Sequence, residues 1–195
     1  LNLSILVSLY IPSSSFADDR MAGSSSRSQK KQKPRVDLSQ HKEILYFESL
    51  GTLTASSPES LGLALWKGSD ITLIRKMLAV LPDRHQHPSF YDAQRRLLLT
   101  QAPIERVKHY IPPQTHDENI FILKIRKLIE MGLFSDAADL YKQVGPLPKD
   151  LEIAKNGIVA LLLNKDVAIA CLERSALTLP ENESFWQTLT DYCDQ

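Results

Sequence analysis

Glycine is scarce, 7 among 195 residues, and the chain has no Gly-rich phosphate loop, no Gly-x-Ser-x-Gly elbow and no His-Glu-x-x-His pair. The enzyme classes built on those motifs therefore find no support. Net charge is missing as well. Lys+Arg and Asp+Glu stand at 23 each, so there is no bulk attraction to nucleic acid or to an anionic membrane surface. No nucleic-acid partner is expected. The apolar opening, Leu1 to Ile11, falls short of the roughly 20 residues that a membrane span needs, and no stable membrane insertion is expected. Cysteine occurs only twice, at Cys171 and Cys193 and without a nearby histidine, which leaves no zinc-type ligand set and no cofactor in view. Strand-type alternation is nearly absent. What remains is an ordinary globular balance of apolar and charged residues, and a second half dominated by Leu, Ala, Ile, Lys and Glu. That mixture favours helix.

The chain opens on Leu rather than Met. Residues 1–17 combine an uncharged apolar stretch, a helix-breaking Pro12 and small residues ending in Ser15-Phe16-Ala17. This is the pattern of a secretory signal lacking its charged start, and it implies a periplasmic, exported protein. The alternative is a cytoplasmic protein starting at Met21. Residues 18–36 carry a serine run and a cluster of Arg27, Lys30, Lys31, Lys33 and Arg35 with almost nothing to bury. They read as a disordered linker, because ordering them would cost backbone entropy without return. Residues 37–67 hold short apolar bursts broken by Gly51, Pro58 and Gly62, an extended or partly helical lead-in that packs through Leu65 and Trp66.

From residue 68 to 195 the helical period is clear. Ser69 is placed to cap a helix with Ile71, Ile74, Met77, Leu78 and Leu81 on one stripe, stopped by Pro82. Ser89 with Asp92 suggests a capping-box variant opening a second helix, with Phe90, Ala93, Leu97 and Leu98 inward. A third helix is expected over 103–110, and a long one opens at Asp117 and runs through Met131. Further helices follow over 134–144, 149–163, 165–179 and from 182 on. The joints between these are short, so neighbouring helices should form antiparallel hairpins. The expected fold is all-α, made of stacked antiparallel helical hairpins with a disordered N-terminal arm.

Gly132, Phe134, Ala137 and Tyr141 form the one internal motif with a mechanical meaning: a tight turn, a small residue for close helix approach, and aromatics filling the groove beside it. The motif resembles the turn and second helix of a tetratricopeptide-type repeat. Ala168 and Leu172 stand 31 positions after Ala137 and Tyr141 as a weaker copy, against a usual period of about 34. Trp186 and Leu189 are spaced as on the first helix of a further repeat. That helix would then lack its partner, and a natural chain continuing past Gln195 is expected. The segments Glu48-Ser49-Leu50-Gly51, Leu65-Trp66-Lys67-Gly68-Ser69, Arg95-Arg96-Leu97-Leu98-Leu99-Thr100, Phe185-Trp186 and Tyr192-Cys193 resemble a group of exported helical-repeat proteins of alphaproteobacteria. The resemblance implies periplasmic placement and a C-terminally truncated chain, and it brings no catalytic residues.

Cys171 lies on the inward side of its helix and Cys193 shares a face with Trp186, on consecutive antiparallel helices. In an oxidising compartment a disulfide would clamp that last hairpin, worth about 3 kcal/mol in the loop-entropy model. The other reading is two buried free thiols. His85 and His87 sit between two prolines with no third ligand nearby, which suits a solvated loop better than a metal. His116, Asp117, Asp136 and Asp139 fit helix starts. Arg75, Lys76, Arg95, Arg96 and Lys108 would form a basic rim on the first hairpins, either a solvated face or a groove for acidic segments. The reading that follows is a non-enzymatic helical-repeat module binding a protein or peptide through a solenoid groove. One alternative is an accessory part of a larger envelope complex. The other is the solenoid part of an envelope-polymer enzyme, for which no acidic catalytic residue in a cleft is evident.

Overall fold

The computed structural model describes residues 38–84, 87–145, 150–180 and 183–194. The expected signal segment at 1–17, the linker at 18–36 and His85 lie outside them. Among the described residues the secondary structure is helical: α1 Leu38–Ser49, α2 Ile71–Val80, α3 Pro88–Leu99, α4 Ile120–Glu130, α5 Phe134–Lys142, α6 Leu151–Leu163, α7 Val167–Ala176 and α8 Ser184–Cys193, with single 3-10 turns at Ile104–Arg106 and His116–Glu118. Two isolated bridges, Leu53 with Thr100 and Asp70 with Lys108, tie the irregular stretches together.

Four of these helices, α2, α3, α4 and α6, start where a side chain satisfies free N–H groups. Asp70, not Ser69, caps α2, accepting from the Thr72 and Leu73 N–H groups. α3 begins at Pro88, whose fixed φ suits a first turn, and His87 accepts from the Ser89 N–H. The capping box expected at Ser89 is therefore not used. Its buried face also differs, because Phe90 is 66% exposed while Gln94, Leu98 and Leu99 point inward. Asn119 and Asp150 cap α4 and α6 in the same way as Asp70 caps α2. The helix expected over 103–110 is only a 3-10 turn, because Lys108 N–H leaves the helical path to bond the Ser69 carbonyl at 2.8 Å.

α4 is the axis of the fold. It lies against α1, α2, α3, α5 and α6, and Ile120, Phe121, Ile122, Lys124, Ile125 and Leu128 are all fully buried. Its remaining side carries the half-buried Arg126 and the exposed Glu130, so the helix is embedded on most sides but not on all. α2 and α3 rest on α4 rather than chiefly on each other, so the first half is a cover around α4 and not a stacked hairpin. α1 lies over one end of the α4–α5 pair, with Phe47 against Phe121 at 6.4 Å between ring centroids. α3 covers the other end, its Tyr91 hydroxyl donating to the Met131 carbonyl at 2.9 Å.

The second half is a chain of adjacent helices, α4–α5, α5–α6, α6–α7 and α7–α8. The turn after α4 has Gly132 at φ 76°, and the Gly132 and Leu133 N–H groups bond the Ile129 and Leu128 carbonyls, a Schellman closure. The turn after α6 repeats it with Lys165 at φ 70°, bonding through the Lys165 and Asp166 N–H groups to Leu162 and Leu161. This corrects the register of the second copy. α6 has 13 residues where α4 has 11, so the second helices are 33 positions apart (134 and 167), not 31. Ala170, at 0% exposure, is the counterpart of Ala137, while Leu172 is 69% exposed and Ala168 lies on the surface. A slip of two residues turns a helix by about 200°, which carries a side chain from the core to solvent.

Tyr141 fills the groove between α5, α6 and α7. Its ring lies against Gly157, where a Cβ would stand 2.1 Å from it, and its hydroxyl donates to Glu173. Burial, and after it the Glu173 carboxylate, push its phenol well above the usual tyrosine range.

Candidate functional site

The most concentrated chemistry lies in a buried charge network between two clefts. Glu48, near the end of α1, is 0% exposed. Its carboxylate accepts from Arg75 Nη2 at 3.2 Å, from the Tyr110 hydroxyl at 2.8 Å and from the Ile120 N–H at 3.1 Å. Lys124, one turn into α4 and fully buried, donates to the Leu50 carbonyl at 2.8 Å and to that of Thr100 at 3.3 Å. Burial pulls its ammonium down to about 8, against an opposing attraction from Glu48. Burial, followed by the Glu48 charge, pushes the Tyr110 hydroxyl well above its usual value. Both Glu48 oxygens and the Lys124 amine are occupied and shut away from water. The network therefore positions α1, α2 and α4 and offers neither a free base nor a free nucleophile.

One cleft, of about 760 Å³, opens beside α1. Leu45, Tyr46, Leu63 and Pro103 give it an apolar wall, and Lys42, Ser49, Thr54, Gln101 and Glu105 give it polar groups. Ser49 fixes that wall by donating to the Leu45 carbonyl at 2.7 Å and accepting the Ile104 N–H at 3.0 Å. The other cleft, of about 350 Å³, lies between α2 and the 111–118 segment, with Arg75, Lys76, Asp117 and Glu118 among its lining.

The structure places the residues singled out from sequence as follows. The expected basic rim does not form. Arg75 turns inward to Glu48. Arg95 makes a bidentate pair with Asp136, at 2.6 and 2.9 Å, and reaches Glu59; its guanidinium is raised above its usual value chiefly by the Asp136 bond. Arg96 donates to the Glu59 carbonyl at 2.6 Å. Lys108 is exposed beside the Asp70 bridge. Facing acids on other elements thus draw off Arg75 and Arg95, and of the five cations only Arg75 and Lys76 share a cleft. Asp136 serves this pairing rather than the α5 dipole alone. Gly132, Ala137 and Tyr141 sit in the turn and core described above, Phe134 is half-buried, and Trp186 and Leu189 are buried at 2% and 0%. Cys171 and Cys193 stand at disulfide distance, S–S 2.02 Å with Cα atoms 5.5 Å apart, and join α7 to α8. Arg174 Nε reinforces that joint by donating to Thr190 Oγ1 at 3.0 Å. His87 is exposed and His116 opens the second 3-10 turn. Among the described residues no three His, Cys, Asp or Glu side chains are grouped as metal ligands.

Glu48, Tyr110, Lys124 and Gly157 were not singled out from sequence. Lys124 could have drawn attention, as a cation between Ile120-Phe121-Ile122-Leu123 and Ile125, although Arg126 and Lys127 beside it suit a solvated face equally well. Gly157 in an apolar helix likewise signals a close approach.

No protein-family model, curated protein or solved structure matches the chain. Among the described residues no helix is long and apolar enough to cross a membrane.

Proposed function

We propose that this chain is an exported, periplasmic helical-repeat module of tetratricopeptide-like character that binds a peptide segment of another protein and performs no chemistry itself. The observation that carries the reading is Tyr46, an aromatic side chain 53% exposed on the wall of the 760 Å³ cleft. A rigid aromatic beside Leu45, Leu63 and Pro103, with Lys42 and Glu105 in the same lining, has the makings of a binding anchor with polar groups to orient the ligand. Export is supported by the cysteine pair at disulfide distance, since such bonds persist in oxidising compartments. The second reading, an accessory part of a larger envelope complex, is favoured by Ile169 and Leu172, 41% and 69% exposed on one side of α7.

Selection from a random peptide library tests the binding role. Binders should be recovered, and Tyr46→Ser should weaken them about tenfold, as loss of an interface anchor does. A library that yields none, or binders indifferent to Tyr46→Ser, would overturn it. The compartment is tested by N-terminal sequencing of the mature protein, which should begin near Asp18. A cytoplasmic chain beginning at Met21 would end that part of the reading.

A further inference from the structure

The smaller cleft has its own chemistry, and the charges lining it are unevenly satisfied. Of its two carboxylates, Asp117 is paired with Arg126 and Glu118 accepts the Gln114 N–H at 2.8 Å. Its cations are less well served. Arg75 is 8% exposed and gives Nη2 to Glu48, but its buried Nε has no hydrogen-bond partner. Lys76 is exposed and makes no ion pair among the described residues. Beside them the lining is apolar at Ala79 and at Ile111, which is 50% exposed.

We propose that this cleft accepts the carboxylate of an acidic residue from a partner peptide, held by Lys76 and Arg75, with the adjoining apolar side chain of that peptide seated on Ile111 and Ala79. The inference rests on the reading of the chain as a peptide-binding module and assigns a ligand class to a second place on it. A carboxylate and a phosphate dianion would both be drawn to Lys76 and Arg75 and repelled by Asp117 and Glu118 in proportion to their charge, and the apolar side at Ile111 and Ala79 is what suits a peptide side chain rather than a bare ion. A volume of about 350 Å³ holds one or two side chains and not a folded surface. Both cations lie on α2, one residue apart, and Arg75 is fixed from behind by Glu48. Arg75 is therefore in place before the ligand arrives, and the ordering cost of binding falls on Lys76 and the peptide.

The test uses the whole protein and fluorescein-labelled peptides of alternating Glu and Leu, or of alternating Gln and Leu, read by fluorescence polarisation. The Glu-Leu peptide should bind and the Gln-Leu peptide should not. Lys76→Glu, a surface change that leaves the core untouched, should weaken binding about tenfold or more, as expected where a charge pair is reversed. Lys67→Glu, an exposed change outside the cleft, should leave it unaltered, as should Tyr46→Ser. No binding of the acidic peptide, or binding indifferent to Lys76→Glu, overturns the proposal. Loss with Tyr46→Ser but not with Lys76→Glu places the peptide in the larger cleft and also overturns it. Displacement of the peptide by inorganic phosphate at lower concentration than by acetate overturns the carboxylate assignment.

Discussion

Replacing Gly157 by alanine sets two effects of known sign against each other. In an isolated helix the change is favourable by about 1 kcal/mol, because glycine has the greater freedom to lose. In α6 the new methyl would stand 2.1 Å from the Tyr141 ring, where ordinary contact begins near 3.4 Å. The ring must then retreat by more than 1 Å, and it has little room to do so. Tyr141 is 2% exposed and tethered through its hydroxyl to Glu173 on α7. Overpacking of this kind costs about 1–3 kcal/mol, and the tether places this case near the upper end. The expected net result is a loss of about 2 kcal/mol. Urea unfolding followed by circular dichroism, with the disulfide intact, measures it. In a Tyr141→Ala background the obstruction is gone, and Gly157→Ala should there gain about 1 kcal/mol, a coupling of about 3 kcal/mol across the cycle. A single variant more stable than the parent, or equal effects in both backgrounds, would refute the packing argument.

Other perturbations reach separate parts of the fold. Lys165 holds φ 70° where the preceding unit has Gly132. Lys165→Gly should therefore raise stability by about 0.5–1 kcal/mol, while Gly132→Ala should lower it by about 1 kcal/mol or more, both read as shifts in urea midpoint. Replacing Cys171 and Cys193 by serine opens a cross-link of 22-residue separation. The expected cost is about 3 kcal/mol, and amide exchange in α8 should quicken; unchanged stability would mean that the packing of Phe185, Trp186 and Leu189 holds α8 unaided. Lys124 gives a pH dependence of definite sign. Its ammonium is pulled down to about 8 in the fold against 10.5, so its contribution is present above the unfolded value and lost as pH falls through 8. Stability should then rise by up to about 3 kcal/mol from below pH 8 toward pH 10.5. Tyr110 and Tyr141, both raised from 10.0, contribute stability below pH 10 that is lost above it, so the rise should turn over near pH 10. Unfolding free energies at several alkaline pH values check this, and Lys124→Met should flatten the rising limb.

How much of this was legible in the sequence depends on the distance over which each signal acts. Helix existence in the second half was readable because it depends on apolar spacing within a dozen residues, and because Gly132, Asn164-Lys165 and the prolines mark the joints. Cap residues were missed by one or two positions, since Asp70, His87 and Asn119 compete locally with equally suitable neighbours such as Ser69 and Ser89. The copy at Ala168 and Leu172 failed for a different reason. The 31-residue spacing holds for the starts of α4 and α6, but α6 is two residues longer than α4. A fixed period cannot reveal that difference, although it reverses which face of α7 is buried. The last hairpin was within reach because Cys171 and Cys193 lie on consecutive helices.

The charge network lies beyond any such local signal. The partners of Glu48 stand 27, 62 and 72 positions away, at Arg75, Tyr110 and the Ile120 N–H. None of these separations follows from helical periodicity. The same distances explain why the basic residues were misplaced: Arg75 is drawn inward by Glu48, and Arg95 is claimed by Asp136, 41 positions on. A cation on an amphipathic helix looks solvated until the element that will face it is known. Lys124 is no exception, since Arg126 and Glu130 on the same helix do reach the surface and helical spacing alone leaves its face open. A buried lysine requires acceptors from distant chain, and finding those at Leu50 and Thr100 leads directly to Glu48, to Arg75 and to the two clefts that they separate.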